Sequence, residues 1–214
     1  DKPMGSVIFA STPSKRHARG VSALLHSNIT ADASLYLHPA ESGSGMGEIK
    51  AVASGHMEFQ IIVKGCPPET TEPGHTAFSH LAENPIDKAL IIRSALVTLA
   101  EERAKRVRYP QIEALVGRAT NLHVSKITCG DMCRLSRIED TCILGCAVSF
   151  PPSEAINQVK VEIEVTIGKA VEADNWLRDH PPQVVWVSGV TGGEVSTDHP
   201  LYQTAAAAIL KITG

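Results

Sequence analysis

The residues best equipped for chemistry gather at a few points of the chain. His38-Pro39-Ala40-Glu41 ends an apolar β-type run, Ala33-Ser34-Leu35-Tyr36-Leu37. Open α/β sheets place their ligands at the carboxyl ends of such strands. An imidazole there is a sound zinc ligand, and the Glu41 carboxylate is a second candidate. Cys129-Gly130-Asp131-Met132-Cys133 and Cys142-Ile143-Leu144-Gly145-Cys146 form two C-x3-C pairs separated by eight residues. Four thiolates suggest a zinc ribbon. Ribbons prefer C-x2-C knuckles in tight turns, however, and Cys142 and Cys146 sit in an apolar strand pattern. Thiols buried as small hydrophobes are the better reading. Thr191-Gly192-Gly193-Glu194 follows a strand but lacks the Lys and spacing of a phosphate loop, and no G-x-S-x-G elbow occurs.

The bulk properties limit what these groups can serve. With 214 residues, 43% hydrophobic and 20% charged, the chain is long enough for a real core. A net charge of −3 argues against nucleic-acid and membrane-surface partners, which select a basic face. No apolar run reaches the roughly 18 residues of a membrane span. Asp1-Lys2-Pro3-Met4-Gly5 has no apolar h-region, so it reads as no signal peptide, and the immediate strand pattern at Ser6–Ala10 reads as a chain cut from something longer. Five cysteines, an odd number, fit a reducing cytoplasm better than a disulfide framework.

The elements that must position the candidates follow from periodicity. Val7-Ile8-Phe9, a helical face at Val21, Leu24 and Leu25, and the run to His38 make a strand–helix–strand unit. Apolar residues then fall on odd positions, from Ile49 to Val63, and predict a half-buried strand bent at Gly55. After a Pro-, Thr- and Glu-rich loop, Asn84-Pro85-Ile86-Asp87 starts a helix with Asn as N-cap and Pro at the first position. Ala89, Ile92, Leu96 and Leu99 continue it, and the charges from Glu101 to Arg106 read as its solvated end. Strands are predicted at Leu122–Ile127 and Thr141–Phe150. Residues 153–178 fit both a strand, through Val159, Val161, Ile163, Val165 and Ile167, and a helix, through Ile156, Val159, Ile163, Ile167 and Val171. Their length and the Pro151-Pro152-Ser153-Glu154 start favour helix. A strand at Val184–Val187 and an Ala-rich helix from Leu201 to Ile212 complete the chain.

Several phrases together resemble the zinc-dependent deacylases and peptidases grouped around acetylornithine deacetylase and succinyl-diaminopimelate desuccinylase. They are Ala31–Glu41, Gly55-His56-Met57-Glu58-Phe59-Gln60-Ile61-Ile62-Val63-Lys64-Gly65, Asn84–Ala89, Gly117-Arg118-Ala119-Thr120-Asn121-Leu122 and Val148-Ser149-Phe150-Pro151-Pro152. The resemblance implies an α+β fold, with a lid domain of β-α-β-β-α-β type inserted between partial α/β catalytic-domain segments. Its boundaries fall at 1–45 for an N-terminal catalytic fragment, 46–180 for the lid, and 181–214 for a C-terminal catalytic fragment. It also settles 153–178 as helix.

The resemblance further implies two zinc ions, a general-base Glu, and cleavage of an amide bond in an N-acyl amino acid or peptide-like substrate. The family's Glu-Pro metal ligand aligns with His38-Pro39, which leaves His38, and less directly Glu41, as the ligands this chain keeps. The family's paired glutamates should fall within Thr12–Arg19, which contains no acid. Most ligands and the general base are thus missing, and this chain alone is expected to hold no tightly bound zinc. Whether it belongs to an active enzyme stays open. Asn121 and Gly130 match a lid strand and turn that contact the substrate carboxylate in the family, while Phe150 stands where many relatives carry an Arg. His75 or His80 could take the place of the lid His that reaches the partner's active site. A homodimer through the lid follows from the resemblance. The other reading is a non-catalytic dimerisation or substrate-lid module of a degenerate or truncated homologue.

Overall fold

In the computed structural model, residues 5–12, 19–36 and 47–213 are described. The chain divides into two units, Val52–Gly193 and Asp1–Ala51 with Glu194–Gly214.

The larger unit is built on the predicted alternation. Met57, Phe59, Ile61 and Val63 of β2 (Gly55–Lys64) are fully buried, whereas the even positions between them are more exposed. The predicted bend is a break: β1 is only Val52–Ala53, Ser54 interrupts, and Gly55 starts β2. A Cβ on Gly55 would stand 2.3 Å from Cε2 of Phe150, so the strands approach here only because glycine has none. β3 (Asn121–Cys129) and β4 (Thr141–Phe150) form a hairpin, and β5 (Gln183–Val190) joins on the other side. The four strands run in the order β3-β4-β2-β5, each pair antiparallel. A two-residue strand, β6 (Gly193–Glu194), follows.

One face of this sheet is covered by two helices. α2 (Pro85–Arg106) begins as predicted: Asn84 Oδ1 accepts the Ile86 N–H at 3.1 Å and Pro85 occupies the first turn. Ala89, Ile92, Leu96 and Leu99 turn inward against β2, β3 and β4. The ambiguous stretch is α4 (Ile156–Glu172). Val159, Ile163, Ile167 and Val171 are buried, while Val161 and Val165, which a strand would have shared with them, are about half exposed at 56% and 50%. Burial against a sheet at helical spacing outweighs the β-branched composition. Each such aliphatic side chain contributes roughly 1.5–3 kcal/mol when fully removed from water.

Three features depart from the sequence reading. The helix stops at Glu172, and a separate short helix, α5 (Asn175–Asp179), is capped by Asp174, whose Oδ1 accepts the Leu177 N–H at 2.9 Å. An unforeseen α3 (Pro110–Val116) ends on Gly117 and packs a second small cluster of Val107, Tyr109, Ile112 and Ala119. The third is Arg103. It was expected in a solvated helix end, but its side chain is 1% exposed. The buried positions 89, 92, 96, 99 and 103 alternate by three and four, so Arg103 lies on the inward stripe.

In the other unit, α1 (Arg19–His26) and α6 (Pro200–Thr213) are helical. The strands expected at 7–9 and 33–38 are not present over the described residues 6–12 and 31–36, and Val7, Phe9 and Tyr36 are 84%, 87% and 64% exposed. A strand needs a hydrogen-bonded neighbour strand, and none is paired with these described residues. No helix among the described residues is long and apolar enough to cross a membrane.

Candidate functional site

His75 lies in the loop between β2 and α2. The ends of that loop are tied by reciprocal backbone hydrogen bonds, Cys66 N to Glu83 O at 2.8 Å and Glu83 N to Cys66 O at 2.9 Å. Within it His75 caps a 3₁₀ helix, Thr76–Leu81. Its Nδ1 accepts the Ala77 N–H at 3.1 Å, and its ring lies 5.6 Å from that of Phe78. With Nδ1 accepting, the neutral ring carries its proton on Nε2. His75 is therefore an exposed, oriented hydrogen-bond donor.

Gly130 follows the last residue of β3. It adopts φ +67°, and a Cβ there would meet Cγ of Glu139 at 2.7 Å. Both the handedness and the space require glycine. Gly65 N donates to Asp140 O at 2.8 Å, and a Cβ on Gly74 would lie 4.0 Å from Ser136 Oγ. The His75 loop and the Gly130–Asp140 loop thus share one end of the sheet.

Asn121 opens β3 at the opposite end. It faces Ser149 across the hairpin, whose Oγ accepts the Asn121 N–H at 3.2 Å. The next layer is polar and buried. Arg103 Nη2 donates to Thr120 Oγ1 at 3.1 Å and to Glu154 Oε2 at 2.6 Å, and Thr120 Oγ1 donates to Ser149 O at 2.6 Å. Arg103 also pairs with Glu162, which Arg106 reaches from the solvent side. Eight residues separate Asn121 from Cys129, which at ~3.3 Å per residue is about 26 Å.

The substrate-binding candidates therefore divide into two groups: His75 with Gly130, and Asn121 far from both. Two further residues, His56 and His123, were missed by the sequence reading. His56, Ser149 and Asn121 are register neighbours across three strands, and Glu58, Ala147 and His123 form the next row. Their signal was the even-numbered phase of β2, which sends His56 and Glu58 to the face away from the helices. Glu58 Oε2 accepts from Ser188 Oγ at 3.2 Å on that face. Phe150 is fully buried in the core, so it offers nothing to a ligand at that position.

The metal candidates fare differently. His38, Glu41 and most of the acid-free loop, residues 13–18, lie outside the described residues. The zinc-ribbon alternative does not assemble. Cys142 and Cys146 are buried on the inner face of β4, Cys129 is half-buried opposite Cys142, and Cys133 is exposed on the loop. Burial pushes the Cys142 thiol up to about 11 and that of Cys146 to about 12, which keeps both protonated and poor ligands. Among the described residues no three His, Cys, Asp or Glu side chains group as a metal site. The described donor set does not fit zinc.

No family model and no curated protein matches the chain. Solved structures do share its fold. A metallo-carboxypeptidase of the M20 family, Sso-CP2 from Sulfolobus solfataricus, superposes with a TM-score of 0.53 at 11% identity, over 76% of this chain and 50% of that one. Human carnosine dipeptidase 1 superposes with a TM-score of 0.51 at 14% identity, over 76% of this chain and 42% of that one. The chain thus spans half or less of these two proteins, and the likeness is one of fold, α+β.

Proposed function

We propose that the chain is a segment of a metal-dependent hydrolase that cleaves an amide bond in an N-acyl amino acid or peptide-like substrate, and that Val52–Gly193 serves as its lid and dimerisation domain. The observation carrying this reading is the placement of His75 and Asn121. In one copy they stand at opposite ends of a ~26 Å strand, too far apart to grip one small molecule. Two copies in a homodimer supply them together, His75 from one and Asn121 from the other. His75 then donates from Nε2 to a substrate oxygen, and Asn121 orients a carboxylate or amide beside it, supported by Ser149 and Arg103. A reducing, cytoplasmic setting suits five free thiols. The described donors do not fit zinc, and His38 and Glu41 stay the proposed ligands.

A specific observation supports the second reading, a non-catalytic lid and dimerisation module: the loop Thr12–Arg19 has no acid to serve as general base. One experiment separates the two. The intact protein of which this chain would be a segment is loaded with zinc or cobalt(II) and offered a panel of N-acetyl amino acids and dipeptides, and the mass of the chain is measured by sedimentation. A dimer with metal-dependent hydrolysis supports the hydrolase, whereas a dimer without turnover supports the module. A monomer at micromolar concentration defeats the shared role of His75 and Asn121. Metal analysis is expected to find well under one zinc per chain; a full equivalent would contradict the reading of the cysteines as core thiols.

A further inference from the structure

Two thiols meet at the end of the sheet that carries Gly130. Cys129, the last residue of β3, stands directly opposite Cys142 in the antiparallel register, and it packs against the core in which Cys142 is buried. Directly opposed residues in such a pair have Cα atoms about 4.5–5.5 Å apart. That lies inside the window of roughly 4.4–6.8 Å that a disulfide spans. The two differ in access: Cys142 is 0% exposed and Cys129 is half-buried. None of the other three cysteines has such a partner. Cys146 faces Val124 across the hairpin, Cys66 Sγ donates to the Pro67 carbonyl at 3.4 Å, and Cys133 is exposed on the loop.

We propose that Cys129 and Cys142 form an oxidisable pair, closed to a disulfide by a low-molecular-weight disulfide such as oxidised glutathione. The more accessible Cys129, as thiolate, attacks one sulfur of the oxidant, forming a mixed disulfide and expelling one thiolate, which takes up a proton. Cys142 then loses its proton and attacks Cys129 Sγ, expelling the second thiolate. The two cysteines give up two electrons and two protons, and the oxidant leaves as two thiols. The bond closes the base of the Gly130–Asp140 loop, which is tied to the start of the His75 loop by the Gly65 N–H to Asp140 O hydrogen bond. Burial raises both thiols above their ordinary range, so the exchange is slow and the pair stays reduced under mild conditions.

The test uses the whole 214-residue chain, incubated folded with oxidised glutathione, then unfolded in denaturant, alkylated and mapped under non-reducing conditions. The expected result is that two of the five thiols escape alkylation and that one linked peptide joins Cys129 to Cys142. Dithiothreitol restores both thiols. Cys133→Ser keeps the linkage and Cys129→Ser removes it. Mapping of the unaltered chain decides the matter even where a substitution at Cys142 disturbs the core. Five alkylatable thiols, a glutathione adduct on Cys133 or Cys66 without the linkage, or a bridge joining any other pair would overturn the proposal.

Discussion

The two ends of the four-stranded sheet each carry a candidate binding residue, and they are held by different chemistry. At the Asn121 end, Arg103 is 1% exposed and joins Glu154, Glu162 and Thr120. At the His75 end, Lys88 bridges Glu83 at 3.2 Å and Asp174 at 3.1 Å, with side chains 16%, 43% and 17% exposed. α5 closes the same end, with Trp176 Nε1 donating to Lys64 O at 2.9 Å. Only the cation differs in burial, since the Glu154 and Glu162 side chains are 19% and 29% exposed. A cation cut off from water depends more on its partners than one that water reaches. The Asn121 end is thus the firmer platform, and the His75 end the more adjustable.

The largest expected effect tests the platform. Arg103→Met should cost about 3 kcal/mol in urea denaturation, because Glu154 loses its cation and Glu162 is left with Arg106 alone. Adding Glu154→Gln should recover part of it, since the uncompensated carboxylate is then gone. A single-substitution cost near that of an exposed residue would erase the contrast between the ends. Next comes Gly130→Ala. It places a side chain at φ +67° and 2.7 Å from Glu139 Cγ, and should lose about 1–2 kcal/mol on the same measurement.

Asp174→Ala is expected to cost about 1 kcal/mol through the lost α5 cap, and its pH dependence is the sharper readout. The Leu177 N–H, and after it Lys88, hold the Asp174 carboxyl below the ordinary carboxylate range. A depressed folded-state value contributes stability that is complete above the unfolded value, about 4, and lost as pH falls through the folded one. The gap between native and Asp174→Ala chains should therefore narrow in acid. An equal gap at pH 3 and pH 7 would mean that the hydrogen bond matters and the charge does not. For Lys88, burial pulls downward, but Asp174 and Glu83 outweigh it and leave the ammonium raised. Its contribution is present below the ordinary lysine value and fades only as pH climbs through the raised one.

The smallest effect on stability belongs to His75→Ala, within about 0.5 kcal/mol for an exposed side chain. It should nonetheless abolish any metal-dependent turnover found for the dimer. Equal amide exchange rates at 66–83 and at 119–122 would remove the idea of one fixed and one adjustable end.

Much of the fold was legible. The odd-numbered phase of β2, the Asn84-Pro85 helix start and the β-hairpin at 121–150 all rest on local periodicity or capping, which short stretches carry by themselves. Arg103 was legible too, from its place three and four residues along the inward stripe, but its charge obscured it. The site was less so. Neither the ~26 Å separating Asn121 from Gly130 nor the meeting of the His75 and Gly130 loops leaves a mark on spacing along the chain. Over the described residues the strands expected at 7–9 and 33–38 are absent for a related reason: apolar β-type composition names a candidate, and only a neighbouring strand completes it.

What the sequence by itself determined was the set of faces. β2, β4, α2 and α4 bury the apolar side that their own pattern marks, because removal of apolar surface from water is local and nearly additive. In β5, read from the sequence as a buried strand, Val187 is instead 56% exposed. The tertiary structure decided which groups meet. Packing drew Arg103 between two glutamates, set Cys129 against Cys142, and parted His75 from Asn121. Hydrogen bonds and ion pairs are directional and short-ranged, so partners distant in the chain are chosen only when the sheet closes.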